Sequence, residues 1–202
     1  MPKILSKSEI EDFREKLSDA ATRLFASRGR EGFTLRELAS ELGVSPMTPY
    51  RYFEDKDAML AAVRTRAFDR FADALETAFA QPGSAPEKAF WVYEAYVNFA
   101  KQDAASYRLM FDLSQPDEEK YPDLVRASAR ARNTMTGYVR GLLDAGLIEG
   151  DPVLIGHVFW VALHGAIVLE MAGKLSPECS PQSIRQTTFI ALVNAFTPKH
   201  KT

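Results

Sequence analysis

One cysteine, Cys179, in 202 residues leaves no internal disulfide framework and no zinc site of paired Cys-x-x-Cys type. A lone thiol fits a reducing compartment, and the start, Met1 to Lys7, lacks the apolar run of a signal peptide, so a cytoplasmic location is expected. An excess of positive charge is missing too. Lys and Arg number 25 against 27 Asp and Glu, for a net charge of -2, so nothing global advertises a nucleic-acid partner. DNA contact needs only a local basic or neutral surface, so this balance does not exclude it. Internal repeats, low-complexity tracts and the alternating pattern of strands are absent as well. No nucleophile elbow, His-Glu-x-x-His, phosphate loop or dinucleotide fingerprint is found, so neither an enzyme nor a cofactor is expected.

What is present is an ordinary globular balance, 46% hydrophobic and 26% charged, with helical periodicity throughout. A capping box at Ser8–Glu11 opens a first helix whose apolar face is Phe13, Leu17, Ala21, Leu24 and Phe25, with Gly29 or Gly32 to end it. A second capping box, Thr34–Glu37, opens a short helix that turns Leu35, Leu38, Ala39 and Leu42 inward and stops at Gly43. A third short helix is predicted between Ser45 and Phe53, and a longer one from Asp55–Lys56 toward Phe79. After a boundary loop at Gln81–Pro86, further helices are predicted near 87–103, 105–113, 122–146, 152–173 and 181–196. Asp151–Pro152 reads as an N-cap followed by a proline in the first helical position.

Two short helices joined by a glycine-containing turn, Thr34 to Phe53, are what a helix-turn-helix requires, although a generic helical hairpin has the same pattern. Composition separates the two. Residues 43–53 carry no acidic side chain, in a chain with 27 of them. They offer Ser45, Thr48, Tyr50, Arg51 and Tyr52 as donors for phosphate oxygens and base edges.

Thr34-Leu35-Arg36-Glu37-Leu38-Ala39, Gly43-Val44-Ser45 and Tyr50-Arg51-Tyr52-Phe53-Glu54-Asp55-Lys56-Asp57-Ala58-Met59-Leu60 together resemble the DNA-binding region of the TetR family of regulators. Trp160-Val161-Ala162-Leu163-His164-Gly165 is similar to the W-x-x-L-H-G stretch of one class of that family's ligand-binding domains. The resemblance implies an all-α fold, with an N-terminal three-helix helix-turn-helix domain (1–56) and a C-terminal helical bundle for ligand binding and dimerisation (57–202). It implies that Ser45, Pro46, Met47 and Thr48 face major-groove edges, and that Thr34 and Lys56 meet backbone phosphate. Of Tyr50 and Tyr52, one contacts phosphate and the other packs at the domain's edge. Phe53 belongs to the core, and Arg36 and Arg51 are read as phosphate anchors, base readers or solvated charges. Met47 and Pro49 depart from the family's usual glycine and leucine. Pro49 leaves two starts for the third helix, at Pro46 capped by Ser45 or at Pro49 capped by Thr48. The first is expected, with a 3₁₀-like turn around Pro49.

For the C-terminal part, the aromatic surface on Phe90, Trp91, Tyr93, Tyr96, Phe99, Tyr107 and Phe111 exceeds what a thin bundle must bury. An apolar pocket between helices is the default site there. Its candidate lining is Trp91, Tyr107, Met110, Phe111, Met135, Trp160 and His164, and the expected effector is a small hydrophobic or aromatic molecule. His157 and His164 share a helix face, but seven residues put their backbones about 10 Å apart, so no metal site is expected. Val153–Ala172 approaches the length of a membrane span, yet it holds His157, His164 and Glu170, so a core or interface helix is expected and no membrane contact. With the stripe Ile184, Thr188, Ala191, Leu192 and Ala195 it suits self-association. The resemblance then implies a homodimer through the last two helices, bound to double-stranded DNA at a palindromic or near-palindromic operator. The expected function is a transcriptional regulator, of the repressor type usual in that family, released by its effector. The alternative is an all-α ligand-binding or interaction protein without DNA affinity.

Overall fold

The computed structural model describes residues 7–113 and 117–198, all of them in helices, turns and loops with no strand among them. The helices are α1 (Lys7–Arg28), α2 (Leu35–Glu41), α3 (Lys56–Phe79), α4 (Ala85–Gln102), α5 (Ala104–Met110), α6 (Pro122–Asp144), α7 (Pro152–Met171) and α8 (Pro181–Phe196). Short 3₁₀ turns lie at Pro49–Arg51 and Glu118–Lys120. The fold class is all-α, an N-terminal helix-turn-helix region followed by a C-terminal helical domain. The Ser8 side chain of the first capping box lies outside the described residues, and Glu11 pairs with Arg66 at 2.8 Å.

Local chemistry sets the helix ends that frame the turn. Thr34 and Glu37 form the expected capping box, with the Glu37 amide donating to the Thr34 hydroxyl oxygen at 3.2 Å and the Thr34 amide to the Glu37 carboxylate at 2.8 Å. At the other end the Val44 amide donates to the Ala39 carbonyl and the Gly43 amide to that of Ser40, at 3.0 and 3.1 Å. This six-to-one and five-to-two pair needs a left-handed residue at Gly43, where φ is +65°. Asp151 caps α7 as predicted, accepting from the Leu154 amide at 2.7 Å.

Two compact units emerge. The first takes in Met1–Phe71 and Gln102–Ala129, as far as these are described, and the second Ala72–Lys101 and Arg130–Thr202. The break expected at residue 56 does not coincide with this grouping. Leu109 of α5 is wholly buried in one cluster with Leu17, Leu24, Phe25, Leu38 and Met59, so α5 packs with the helix-turn-helix rather than with the later bundle. Polar ties reinforce that packing. Arg70 of α3 reaches Asp103, the N-cap of α5, at 2.9 Å, and buried Arg64 reaches the Met110 carbonyl and Glu118 at 3.2 and 2.7 Å. In the second unit α7 packs against α8, and Val92, Tyr96, Val139, Ile155 and Phe159 form its interior.

Candidate nucleic-acid interface

The segment after Gly43 departs from the expected helix. Among its residues only Pro49–Arg51 takes helical form, as a 3₁₀ turn, and an α-helix starting at Pro46 is not there. The cause is covalent. Pro49 has no amide to donate to the Ser45 carbonyl, so the Thr48 amide takes it instead, three residues on, at 2.8 Å. Thr48 stays in the right-handed helical region (φ -64°, ψ -46°), although a following proline disfavours it. The Ser45 to Thr48 backbone is therefore turned, not extended. Ser45 still caps weakly, its hydroxyl oxygen accepting from the Met47 amide at 3.4 Å.

This geometry sorts the candidate residues. Ser45, Pro46 and Arg51 are exposed, Thr48 is half-buried, and Met47 and Tyr50 keep 62% and 44% of their surface open. Tyr52 turns the other way, its ring 5.1 Å from that of Phe13. The aromatic pair thus divides, with Tyr50 outward and Tyr52 packing against α1. Phe53 packs on the buried cluster, in keeping with the core role expected of it.

Ion pairing distinguishes two arginines from their neighbours in the helix-turn-helix region. Arg23, Arg28 and Arg30 are each paired, with Glu41, Glu37 and Asp57, at 3.2, 3.5 and 2.7 Å. Exposed Arg36 and Arg51 make no ion pair with any described residue. Arg51 lies in the acid-free stretch 43–53 and Arg36 in the first turn of α2 beside Glu37, two unpaired exposed guanidinium groups in a chain of net charge -2.

Thr34 and Lys56, expected to meet phosphate, both make bonds within the chain. The Thr34 hydroxyl donates to the Glu37 carboxylate at 2.9 Å, and this bond together with the Thr34 amide holds Glu37 below its ordinary range, so it stays anionic beside the start of α2. The Lys56 ammonium donates to the carbonyls of Arg30 and Phe33 and lies 4.4 Å from the centroid of the Phe33 ring. Both side chains thus have bonding partners within the chain, contacts that their place in the motif does not reveal.

The second unit holds a cavity of about 20 Å³, lined among others by Tyr93, Tyr96, Met135, Tyr138, Phe159 and Phe189. Burial pushes the Tyr138 phenol up from its ordinary value, so it stays neutral. Of the seven candidate pocket residues, Met135 lines this cavity, and Trp160 stands behind it, its indole donating to the Tyr96 hydroxyl at 3.0 Å. Trp91 and His164 are half-buried in the same unit but do not line it. Tyr107, Met110 and Phe111 belong to the first unit, where the Phe111 ring packs on Tyr107 and Phe68 at 5.0 and 5.8 Å. Sequence reasoning missed Arg185, a buried charge in the cavity wall bonded to Glu170. The available signal is Glu170 itself, because a charge in so apolar a helix requires a partner.

Comparison with known proteins gives this geometry a family. The description "Tetracyclin repressor-like, C-terminal domain" matches residues 89–196, and "Bacterial regulatory proteins, tetR family" matches residues 17–63. The transcriptional regulator BetI of Rhizobium meliloti is 29% identical over 153 residues, 72% of this chain and 75% of that one. The transcriptional activator FasR of Mycolicibacterium smegmatis is 26% identical over 118 residues, 58% of this chain and 54% of that one, so the match spans about half of FasR. A protein of unknown function from Rhodococcus shares the fold with a TM-score of 0.80 at 24% identity, over 98% of this chain and all of that one. The regulators matched are transcription factors and not enzymes. One family description alone accounts for residues 89–196, more than half of the 202, and a second for the helix-turn-helix: the chain belongs to the TetR family of DNA-binding transcriptional regulators.

Proposed function

We propose that the chain acts as a homodimer that grips a palindromic or near-palindromic operator through the exposed face after Gly43, and that a small apolar ligand in the second unit alters its grip. The observation that carries the DNA contact is the pair Arg36 and Arg51, exposed and without an ion pair among the described residues. Ser45, Pro46, Met47 and Thr48 are its base-reading side chains, and Tyr50 is a phosphate contact. Thr34, Tyr52 and Lys56 hold that surface in place.

Self-association rests on α7. It is long and apolar enough by composition to cross a membrane, yet only 28% of its apolar window is buried. Leu154, Val161 and Val168, seven residues apart and hence on one face, are exposed, Val161 by 68%. Gly165 lies on the same face, and a methyl group added there would meet nothing within 4 Å. A second copy of the chain fits such a face better than lipid does, because Glu170 lies on the same helix, in an ion pair with Arg185. Ile190 of α8, 58% exposed, extends the apolar surface.

Repression in the cytoplasm, relieved by ligand, is the working sense of regulation, as is usual in the family. The activator FasR among its relatives supplies the second reading. A mobility-shift titration of the full chain against its own upstream DNA tests the core of the proposal. We expect sequence-specific binding that falls steeply with salt. In Arg36→Ala and Arg51→Ala variants, the slope of log K on log salt should flatten by about 0.9 for each phosphate that the variant no longer neutralises. An absence of any specific shift leaves the alternative of a helical ligand-binding or interaction protein. A promoter-reporter assay with and without the protein separates repression from activation.

A further inference from the structure

The wall of the cavity in the second unit is mostly aromatic and aliphatic and carries one charged side chain. Arg185 of α8 lines it and is 5% exposed. A guanidinium held that far from water requires negative charge close by. It has one carboxylate, that of Glu170, which accepts from Nη1, and one neutral neighbour, the Tyr93 hydroxyl, 3.4 Å from Nε. The same Glu170 also faces Lys101, at 3.7 Å. Lys101 is half exposed to solvent and outside the cavity wall, so the pair that matters at the wall is Arg185 with Glu170. The Nη2 edge of the guanidinium has no hydrogen-bond partner among the described residues.

Beside that charge, a row of rings leads inward from the surface. Phe90, 53% exposed, is 6.4 Å from Tyr93; Tyr93 is 6.0 Å from Phe189, and Phe189 5.3 Å from buried Phe159. Tyr93, Phe189 and Phe159 all line the cavity. At about 20 Å³ it holds little more than a water molecule, so an organic ligand enters only by parting these rings.

We propose that the effector is an amphipathic monocarboxylate, whose single carboxylate takes the free edge of Arg185 and whose apolar body lies among Tyr93, Phe159 and Phe189. This rests on the reading of the cavity as the ligand site. A single carboxylate answers the unpartnered edge, whereas a dianionic phosphate buries a second negative charge beside Glu170 with no further cation in the cavity wall. The planar guanidinium fork also matches a carboxylate in geometry. A neutral ligand of the same shape offers that edge only an uncharged acceptor, which makes a weaker hydrogen bond.

Isothermal titration calorimetry on the full chain, with octanoate against octan-1-ol and 4-phenylbutanoate against 4-phenylbutan-1-ol, tests the assignment. Each acid is expected to bind at least about tenfold more tightly than its alcohol. Arg185→Met should bring each ratio to about one while alcohol binding persists, which also shows that the variant is folded. Glu170→Gln keeps the shape and removes the competing carboxylate, so acid affinity should rise there. Equal affinity for acid and alcohol, an acid preference that survives Arg185→Met, or octyl phosphate binding more tightly than octanoate overturns the monocarboxylate and leaves the cavity as a ligand site. Unchanged or weaker acid binding in Glu170→Gln overturns it as well. If neither acids nor alcohols bind, the cavity reading itself falls, and the effector class with it.

Discussion

Replacing Lys56 by methionine separates a scaffold lysine from a phosphate anchor. The substitution keeps an apolar stem against the Phe33 ring and removes the ammonium that donates to the carbonyls of Arg30 and Phe33. Hydrogen bonds to a charged group contribute about 1.5–3 kcal/mol each. Against that, the variant has no ammonium to desolvate and the two freed carbonyls recover hydration, because the site is only half-buried. The net loss should be about 1–3 kcal/mol. In a chain of 202 residues, this lowers the midpoint of thermal unfolding by about 2–12 °C, at roughly 2–4 °C per kcal/mol. Circular dichroism at 222 nm reads that shift, and a salt titration of DNA binding well below the melting range supplies the second axis. A scaffold lysine leaves the slope of log K on log salt unchanged, whereas removal of a phosphate anchor flattens it by about 0.9. An unchanged melting temperature with a flattened slope would refute the scaffold role.

Three further outcomes follow from named interactions. Tyr50→Phe should weaken binding to all duplexes by about three- to tenfold, the worth of one hydroxyl hydrogen bond, with no change in melting temperature; a weakening confined to one operator sequence contradicts a phosphate contact. Val161→Arg places a charge in the centre of the exposed α7 stripe, so sedimentation should show monomer and DNA affinity should collapse, while a dimer that persists removes α7 from the interface. Burial lowers the His164 pKa from 6.5. The unfolded chain therefore binds the proton more readily, and stability rises with pH across the window between the lowered folded value and 6.5. The urea midpoint should climb from pH 5.5 to 7.5 in the parent and climb less in His164→Asn; parallel curves would show that His164 contributes nothing.

Helix ends are legible in the sequence where the group that ends a helix is its near neighbour. Thr34 with Glu37, Asp151 with Leu154, and Gly43 after α2 each act within four residues, so spacing alone locates them. The turn from Ser45 to Phe53 is harder, because Pro46 and Pro49 both lack an amide. Either proline can open a helix, and spacing alone does not choose between them; in the structure Pro49 opens the 3₁₀ turn and is buried. The domain boundary rests on packing between residues distant in sequence. Nothing near Leu109 indicates that it completes a core begun at Leu17. The same holds for the cavity: aromatic content nominates candidates, but helix rotation chooses among them. That Arg185 answers Glu170 across fifteen residues is a tertiary fact. The motif fixes where Lys56 falls, while its two carbonyl partners, 23 and 26 residues away, decide what it does.

Amide hydrogen exchange of the full chain, with and without a duplex that it has selected from a random pool, tests the DNA-contacting surface most directly. Protection on adding DNA should concentrate at residues 34–37 and 44–53, weaken in 0.5 M salt, and require dimeric protein. Protection that spares those two stretches, or a pool from which no duplex is enriched, would contradict the assignment of this face to DNA.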